Sequence, residues 1–144
     1  MGKLLLISIK EKYVKEILAG KKTIELRKAR PKAEIGDLVI IYTTQPKKAV
    51  TAIATVKGIV TCTPSEMWKA NKARLGIDKK SFDAYYEDCS KAVGIELEGI
   101  IRLDSDILLS AIKLIHPKFS PPQTFKYLNK FAALRDFMNL NRVN

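Results

Sequence analysis

The chain has 144 residues, of which 47% are hydrophobic and 28% are charged, and its formal net charge is +11. These values exclude an intrinsically disordered chain and indicate one globular domain with a core of its own. So large a positive charge is typical of proteins that bind polyanions such as RNA, DNA or nucleotides, although a lysine-rich surface without a ligand would carry the same charge.

The cysteine and histidine content argues against a metal site. Cys62 and Cys89 have no CxxC spacing, and His116 is the only histidine. We therefore expect no metal, no cofactor and two reduced thiols in a cytoplasmic protein. No apolar run approaches the length of a transmembrane helix, so we expect no membrane partner.

The beginning of the chain predicts a strand followed by a helix. Residues 3–9 form an apolar run that is typical of a buried strand. Ser8 and Glu11 have the spacing of a capping box, which would begin a helix there, and Gly20 fits the position that ends one.

An alternating stretch that begins at Thr23 predicts the next strand. Ile24 and Leu26 would face the core, whereas Thr23, Glu25 and Arg27 would share the opposite face. Polar groups of both signs on one strand face favour a binding site at this position.

The rest of the chain predicts further short strands and helices without a βαβ repeat. Strands are expected over residues 38–42, 49–60, 92–103 and 123–128, and helices over residues 64–76, 78–89 and about 129–140. Thr63 and Glu66 form a capping box, and Gly58 would mark a bulge. Residues 107–115 are ambiguous. The pattern favours a mixed sheet or small barrel with helices around it.

Two motifs far apart in the chain carry a resemblance to a known family. Gly20, Lys22, Glu25 and Arg27 follow the spacing Gly-x-Lys-x-x-Glu-x-Arg, and residues 121–128 read Pro-Pro-Gln-Thr-Phe-Lys-Tyr-Leu. In this order the two motifs resemble the start and the end of the ASCH domain, which belongs to the PUA-like superfamily.

The resemblance implies an α+β fold, a PUA-like small mixed β-barrel with flanking helices. The resemblance covers roughly residues 3–128. With the length of the chain and the helical pattern after residue 128, we expect a single domain over residues 1–144, with its core at roughly residues 3–128 and a C-terminal helix at about residues 129–140. The resemblance also implies a charged cleft beside the first helix that binds RNA or a nucleotide-like ligand, in a regulatory role.

Residues 10–32 hold the densest charge, with nine lysines or arginines and three glutamates. Arg27 can form a fork of hydrogen bonds to a phosphate or a base edge, and Lys22 can act as a point charge. Glu25 could accept a hydrogen bond from the exocyclic amine of a base, or it could simply pair with Arg27 on the surface. The candidate ligand-binding residues are Lys21, Lys22, Thr23, Glu25, Arg27, Lys28, Tyr42, Gln123 and Lys126.

Two other function classes stay open. Some ASCH-related proteins are hydrolases, an amidohydrolase on N4-acetylcytidine and a ribonuclease. Lys22 matches the lysine of the amidohydrolase, but Glu25 stands where its catalytic threonine would be, so we do not predict that activity. If the chain is a hydrolase on a modified nucleoside or RNA, Lys22 and Glu25 are the candidates for acid–base catalysis. The third class is a protein-interaction domain that uses the C-terminal helix.

Two further clusters are given structural interpretations. Glu96, Glu98, Asp104 and Asp106 are not accompanied by histidine, so we interpret them as a solvent-facing set or as intramolecular partners of the basic surface. The aromatic residues Trp68, Tyr85 and Tyr86 are expected to pack the outer helices onto the sheet, with stacking on RNA as a minor alternative.

Overall fold

The computed structural model of the protein describes residues 4–128. It contains six strands, four α-helices and one 3₁₀ turn within these residues. In chain order these are β1 (Leu4–Ile9), α1 (Glu11–Leu18), β2 (Ile24–Arg27), β3 (Leu38–Thr43), β4 (Ala49–Cys62), α2 (Pro64–Asn71), the 3₁₀ turn (Lys72–Arg74), α3 (Lys79–Tyr85), β5 (Ala92–Leu108), α4 (Leu109–Ile115) and β6 (Phe125–Leu128).

The strands form one mixed sheet in the order β2-β5-β4-β3-β1-β6. Strands β1 and β3 are parallel, and the other neighbouring pairs are antiparallel. The long strands β4 and β5 shift register at three places, one of them at Gly58, which confirms the predicted bulge. Bulges increase local twist, and the sheet curves into a half-barrel whose edges are β2 and β6. The predicted α+β class is confirmed.

Apolar residues cover both faces of the central strands. Alternation along β1 places Ile7 and Ile9 in a cluster that includes Val14 and Ile17 of α1, and Leu4 and Leu6 in a cluster that includes Ile112 of α4. Each such buried side chain contributes about 1.5–3 kcal/mol relative to exposure. A third cluster lies under α2 and α3 and comprises Ile24, Leu26, Met67, Leu75, Phe82, Tyr86 and Ala92.

The aromatic residues pack as predicted. The rings of Trp68 and Phe82 lie 5.0 Å apart, as do those of Phe82 and Tyr86. The Tyr86 hydroxyl donates a hydrogen bond of 2.8 Å to the backbone carbonyl of Arg27, which ties α3 to β2. The side of β2 that carries Ile24 and Leu26 is thereby covered, and its other side is left for polar residues.

One of the two capping boxes is confirmed and the other is wrong. The amide of Glu66 donates to Thr63 Oγ1 at 3.1 Å, and the amide of Thr63 donates to Glu66 Oε1 at 3.0 Å. Ser8, in contrast, lies in β1, and Lys10 occupies the N-cap of α1 without a side-chain cap. The Ser8 hydroxyl instead donates to the carbonyl of Pro122 at 2.7 Å, so a tertiary contact replaces the predicted local one.

Several predicted boundaries are corrected. Strand β5 continues to Leu108, and the ambiguous segment 107–115 divides into the end of β5 and α4. Gln123 precedes β6 and does not belong to it. The helix predicted at about residues 129–140 lies outside the described residues. Between residues 4 and 128, no helix is long and apolar enough to cross a membrane.

Candidate functional site

A cavity of about 710 Å³ opens on the polar side of β2. Its walls come from β2, α1, α3, the ends of β1 and β3 and the segment before β6. The two edge strands of the half-barrel therefore both contribute to it, β2 directly and β6 through the preceding residues. The lining residues are Ser8, Ile9, Lys10, Lys12, Tyr13, Lys22, Glu25, Leu26, Arg27, Lys28, Thr44, Ile77, Ser81, Ala84, Tyr85, Gln123 and Thr124.

Three charged side chains form the floor of the cavity, and we call them the floor triad: Lys22, Glu25 and Arg27. The side chains of Arg27 and Glu25 are 2.6 Å apart, and Lys22 Nζ lies 3.5 Å from Glu25 Oε1. The three residues are only 2%, 6% and 7% exposed. Because Glu25 lies between two cations, the triad has a net charge of +1 and favours an anionic or electron-rich ligand group.

Arg27 also joins the two sides of the cavity. Its NH2 group donates to the carbonyl of Ser8 at 2.7 Å, and NH1 makes a longer contact of 3.4 Å to the carbonyl of Thr124. Its Nε has no hydrogen-bond partner among the described residues, although it is buried. A buried donor without an acceptor costs about 1–3 kcal/mol, and this cost falls on the floor triad itself.

Lys22 is held on the floor by a backbone carbonyl. Its Nζ donates to the carbonyl of Leu75 at 2.6 Å. Burial lowers the pKa of Lys22 below its ordinary value, and the neighbouring charge of Glu25 opposes this effect in part. An ammonium group that releases its proton more readily than usual is suited to proton transfer as well as to charge recognition.

Two tyrosines stand in the walls, each with a cation over its ring. Lys12 Nζ and Lys22 Nζ lie 5.0 and 5.3 Å from the ring centre of Tyr13, and Lys28 Nζ lies 4.8 Å from that of Tyr85. Burial raises the pKa of Tyr85 above its ordinary value. Flat aromatic faces beside cations are suited to stacking a base and holding its phosphate.

The cavity collects five of the predicted ligand-binding residues, namely Lys22, Glu25, Arg27, Lys28 and Gln123. The alternation along β2 directs Glu25 and Arg27 to the same side, as predicted. Gln123 is exposed at the rim. Lys10 and Lys12 also line the cavity, so its lining carries five cations and one carboxylate.

The structure does not bring the other four predicted residues to the cavity. Lys21 is exposed after α1. The Thr23 hydroxyl accepts from Arg74 Nε at 3.1 Å, so it faces away from the floor triad. Tyr42 is 3% exposed in the apolar cluster under α4. Lys126 Nζ donates to the carbonyl of Ser120 and lies over the ring of Phe119.

Sequence reasoning missed Tyr13, Ser8 and Thr124 as parts of the site, and it considered a role in ligand stacking for Tyr85 only as the minor alternative to packing. A usable signal existed for Tyr13, which is an aromatic residue between lysines at one edge of the apolar stripe of α1. Ser8 and Thr124 contribute backbone carbonyls that receive the Arg27 guanidinium. Any residue type supplies a carbonyl, so no sequence pattern could have revealed that role.

Two of the four acidic residues of β5, Glu96 and Asp106, act as intramolecular partners, whereas Glu98 and Asp104 face the solvent, so each of the two interpretations applies to two residues. Glu96 Oε2 accepts from Arg74 at 2.6 Å, and Asp106 lies 3.1 Å from Lys47. Within residues 4–128, no group of three or more histidine, cysteine, aspartate or glutamate side chains is arranged to hold a metal ion. Cys62 and Cys89 are free thiols.

The sequence model of the ASCH domain matches residues 7–101, which is well over half of the chain. The chain belongs to the ASCH domain family. The motif at Gly20, Lys22, Glu25 and Arg27 that carried the resemblance lies inside the matched residues, and three of its four members form the floor triad.

Relatives of known sequence and structure support the assignment. The chain is 29% identical over 124 residues to the "ASCH domain-containing ribonuclease" of Zymomonas mobilis, which covers 86% of this chain and 83% of that protein. The crystal structure of ASCH from Zymomonas mobilis superimposes with a TM-score of 0.87 at 27% identity, over 94% of each chain.

A more distant structure shares the fold alone. Human THYN1, solved in complex with DNA that contains 5-methylcytosine, has a TM-score of 0.54 at 12% identity and covers 89% of this chain and 91% of that one. Together with the Zymomonas structure it confirms that the chain has the α+β PUA-like fold that the resemblance implied.

Proposed function

We propose that this ASCH domain binds single-stranded RNA, with one nucleotide inserted into the cavity above the floor triad. The observation that carries the proposal is a buried charged triad of net charge +1 at the bottom of a cavity lined by further cations. The Arg27 Nε of this triad is buried without a hydrogen-bond partner among residues 4–128. The relative named as a ribonuclease supports RNA as the ligand class.

The depth of the triad favours a single strand. Lys22, Glu25 and Arg27 are at most 7% exposed, so a base edge inside a duplex could not reach them. An unpaired nucleotide can leave its stack and enter a pocket. We propose that Arg27 binds its phosphate or a base acceptor, that Glu25 accepts from an exocyclic amine, and that Tyr13 or Tyr85 stacks on the ring.

The test is the binding of a short mixed-sequence single-stranded RNA, followed by fluorescence anisotropy over a range of salt concentrations. We expect Lys28→Ala to weaken binding and to reduce the salt dependence by about one phosphate contact. Lys22→Met, which keeps the length of the side chain but removes its charge, should weaken binding further because Lys22 lies at the floor.

Lys69→Ala is the matched control, because Lys69 is an exposed cation on α2 that does not line the cavity. It removes the same charge as Lys28→Ala and should leave affinity nearly unchanged. Equal losses for Lys69→Ala and Lys28→Ala would mean that binding is a diffuse charge effect, and the cavity would lose its role.

RNA cleavage is the second candidate function. It is favoured by the named activity of the Zymomonas relative and by the lowered pKa of Lys22 next to Glu25. In this reaction Glu25 would accept the proton of a ribose 2′-hydroxyl while that oxygen attacks the adjacent phosphorus. Lys22 would then protonate the departing 5′-oxygen, which leaves a 2′,3′-cyclic phosphate.

Binding stays the first proposal because both oxygens of Glu25 already contact cations. The binding samples also test cleavage if the length of the RNA is followed. Shortened RNA with the wild-type protein and intact RNA with Glu25→Gln would favour the enzyme. The cytoplasmic location, the single-domain organisation, the regulatory role and a protein partner for the C-terminal segment stay predictions.

A further inference from the structure

Lys22 is a buried lysine, and the segment that buries it is the connection between α2 and α3. Residues 74–76 of this connection pass directly behind the Lys22 side chain. The carbonyl of Leu75 accepts from Lys22 Nζ at 2.6 Å, and the carbonyl of Arg74 accepts from the amide of Thr23 at 2.9 Å. Neither Arg74 nor Gly76 lines the cavity itself.

Gly76 allows this close approach. Its φ angle is +57°, a region that side-chain-bearing residues rarely adopt. A Cβ atom built at Gly76 would lie 2.6 Å from Cβ, 3.1 Å from Cγ and 3.2 Å from Cδ of Lys22. The nearest of these atoms is attached to the Lys22 backbone, so the side chain cannot swing aside without moving the residue.

Arg74 fastens the connection to the sheet. Its Nε donates to Thr23 Oγ1 at 3.1 Å, and its NH2 group donates to Glu96 Oε2 at 2.6 Å. The backbone amide of Thr23 in turn donates a hydrogen bond to the carbonyl of Arg74. These contacts anchor the connection on the residue before β2 and on β5, and β2 and β5 are antiparallel neighbours.

We propose that residues 74–76 form a positioning element for Lys22, which holds its ammonium group over Glu25 on the cavity floor and thereby sets the affinity of the cavity for RNA. The proposal deepens the proposed function and rests on it. Arg74 and Gly76 act through Lys22 and do not touch the ligand. Lys22 without this element would extend toward water, because a lysine ammonium is strongly hydrated.

The test compares Gly76→Ala with Gly36→Ala. Both glycines have positive φ angles, but a Cβ at Gly36 meets nothing within 4 Å, whereas a Cβ at Gly76 meets Lys22. Backbone strain is thus common to the two variants, and displacement of Lys22 is specific to one. We expect about a tenfold loss of affinity for short single-stranded RNA with Gly76→Ala, the effect of one lost charge-assisted contact, and none with Gly36→Ala.

A second measurement needs no RNA. The titration of the Lys22 side chain, followed by NMR of labelled lysine, reports its surroundings, which are Glu25, Arg27, Glu16 and the ring of Tyr13. In the wild type, burial lowers the pKa of Lys22. We expect Gly76→Ala to raise this pKa toward the ordinary lysine value, because a displaced ammonium regains water. Gly36→Ala should leave it unchanged.

Arg74→Lys extends the test if Gly76→Ala does not fold. It keeps the positive charge but replaces a guanidinium that reaches Thr23 and Glu96 through two different nitrogens by a single ammonium nitrogen. It should therefore shift both readouts in the same direction as Gly76→Ala and by less. Unchanged Lys22 titration in both variants, or a changed titration with full RNA affinity, would overturn the proposal. If the wild-type protein does not bind RNA, the proposed function fails, and the proposed effect of residues 74–76 on affinity fails with it. The titration of Lys22 then still decides whether these residues position its side chain.

Discussion

Two charged regions of this molecule have nearly the same geometry and different surroundings. Arg27 and Glu25 are 2.6 Å apart with side chains 9% and 8% exposed, whereas Lys79 and Asp83 on α3 are 2.8 Å apart with side chains 56% exposed. From these distances alone, the two ion pairs would be expected to contribute equally to stability. Burial separates them, because removing charges from water costs several kcal/mol per ion while exposed pairs keep their hydration.

The difference shows that the floor triad is unlike an ordinary stabilising contact. Buried ion pairs can often be replaced by apolar residues without loss of stability, so their presence is weak support for a role in stability. A buried cluster of three charges that faces a cavity is consistent with the ligand recognition that we propose for it. The exposed pair of Lys79 and Asp83 on α3, which we call the outer pair, needs no such explanation.

The largest expected effect follows from breaking the triad. Glu25→Ala would leave Lys22 and Arg27 as two buried cations without their common carboxylate. We expect a loss of about 3–5 kcal/mol in the free energy of unfolding, measured by denaturant titration.

A second substitution sharpens this prediction. Adding Lys22→Met to Glu25→Ala removes one of the two unpaired cations, so part of the lost stability should return. A double-mutant cycle measures the coupling. Strictly additive losses would contradict the interpretation of the triad as one coupled unit.

An intermediate effect concerns Tyr86, which supports β2 from the apolar side. Burial raises the pKa of Tyr86 above its ordinary value of 10.0. Above that pH the unfolded chain loses the phenol proton and the folded protein keeps it, so stability falls as pH rises through 10. We expect Tyr86→Phe to make this alkaline loss less steep.

Tyr86→Phe should also lower stability near neutral pH by about 1 kcal/mol, because the carbonyl of Arg27 loses its donor. Thermal unfolding at neutral and alkaline pH measures both effects. Lys22 has the opposite effect on stability, because burial lowers its pKa in the folded protein below the ordinary value of 10.5. Between these two pKa values the unfolded chain binds more protons than the folded protein, so the free energy of unfolding rises with pH. Equal alkaline losses for wild type and Tyr86→Phe would exclude Tyr86 as their source.

The smallest effect is expected for the outer pair. Asp83→Ala removes the partner of Lys79, and we expect a change of no more than about 0.5 kcal/mol that disappears at high salt. The same denaturant titration used for Glu25→Ala provides the comparison. A loss similar to that of Glu25→Ala would show that burial does not distinguish the two regions.

The part of the site that could be predicted follows from local periodicity. Alternation along β2 was enough to place Glu25 and Arg27 on one face, and the family resemblance added Lys22. Tyr42 was placed in the wall of the site because it ends a central strand, yet it packs under α4. The sequence shows that a strand alternates, but it does not show which face of the sheet meets which helix.

The wrong capping box has a similar cause. Ser8 and Glu11 have the same spacing as Thr63 and Glu66, and only the second pair forms the box. Ser8 is held in β1 by pairing with β3 and by its bond to Pro122, which lies 114 positions away. Contacts across such a separation override local preference and leave no local signal.

The hydrogen bonds of Arg27 to Ser8 and Thr124 have a consequence for the order in which the cavity forms during synthesis. The guanidinium lies in the first third of the chain, but Leu75, which holds Lys22, and Thr124, which receives Arg27, follow 53 and 97 positions after their partners. During synthesis the strands β1 to β5 would therefore be complete while the cavity still lacked a wall. Competence for binding should therefore arise only after residues 123–128 have been synthesised, which is later than the formation of the sheet from β1 to β5.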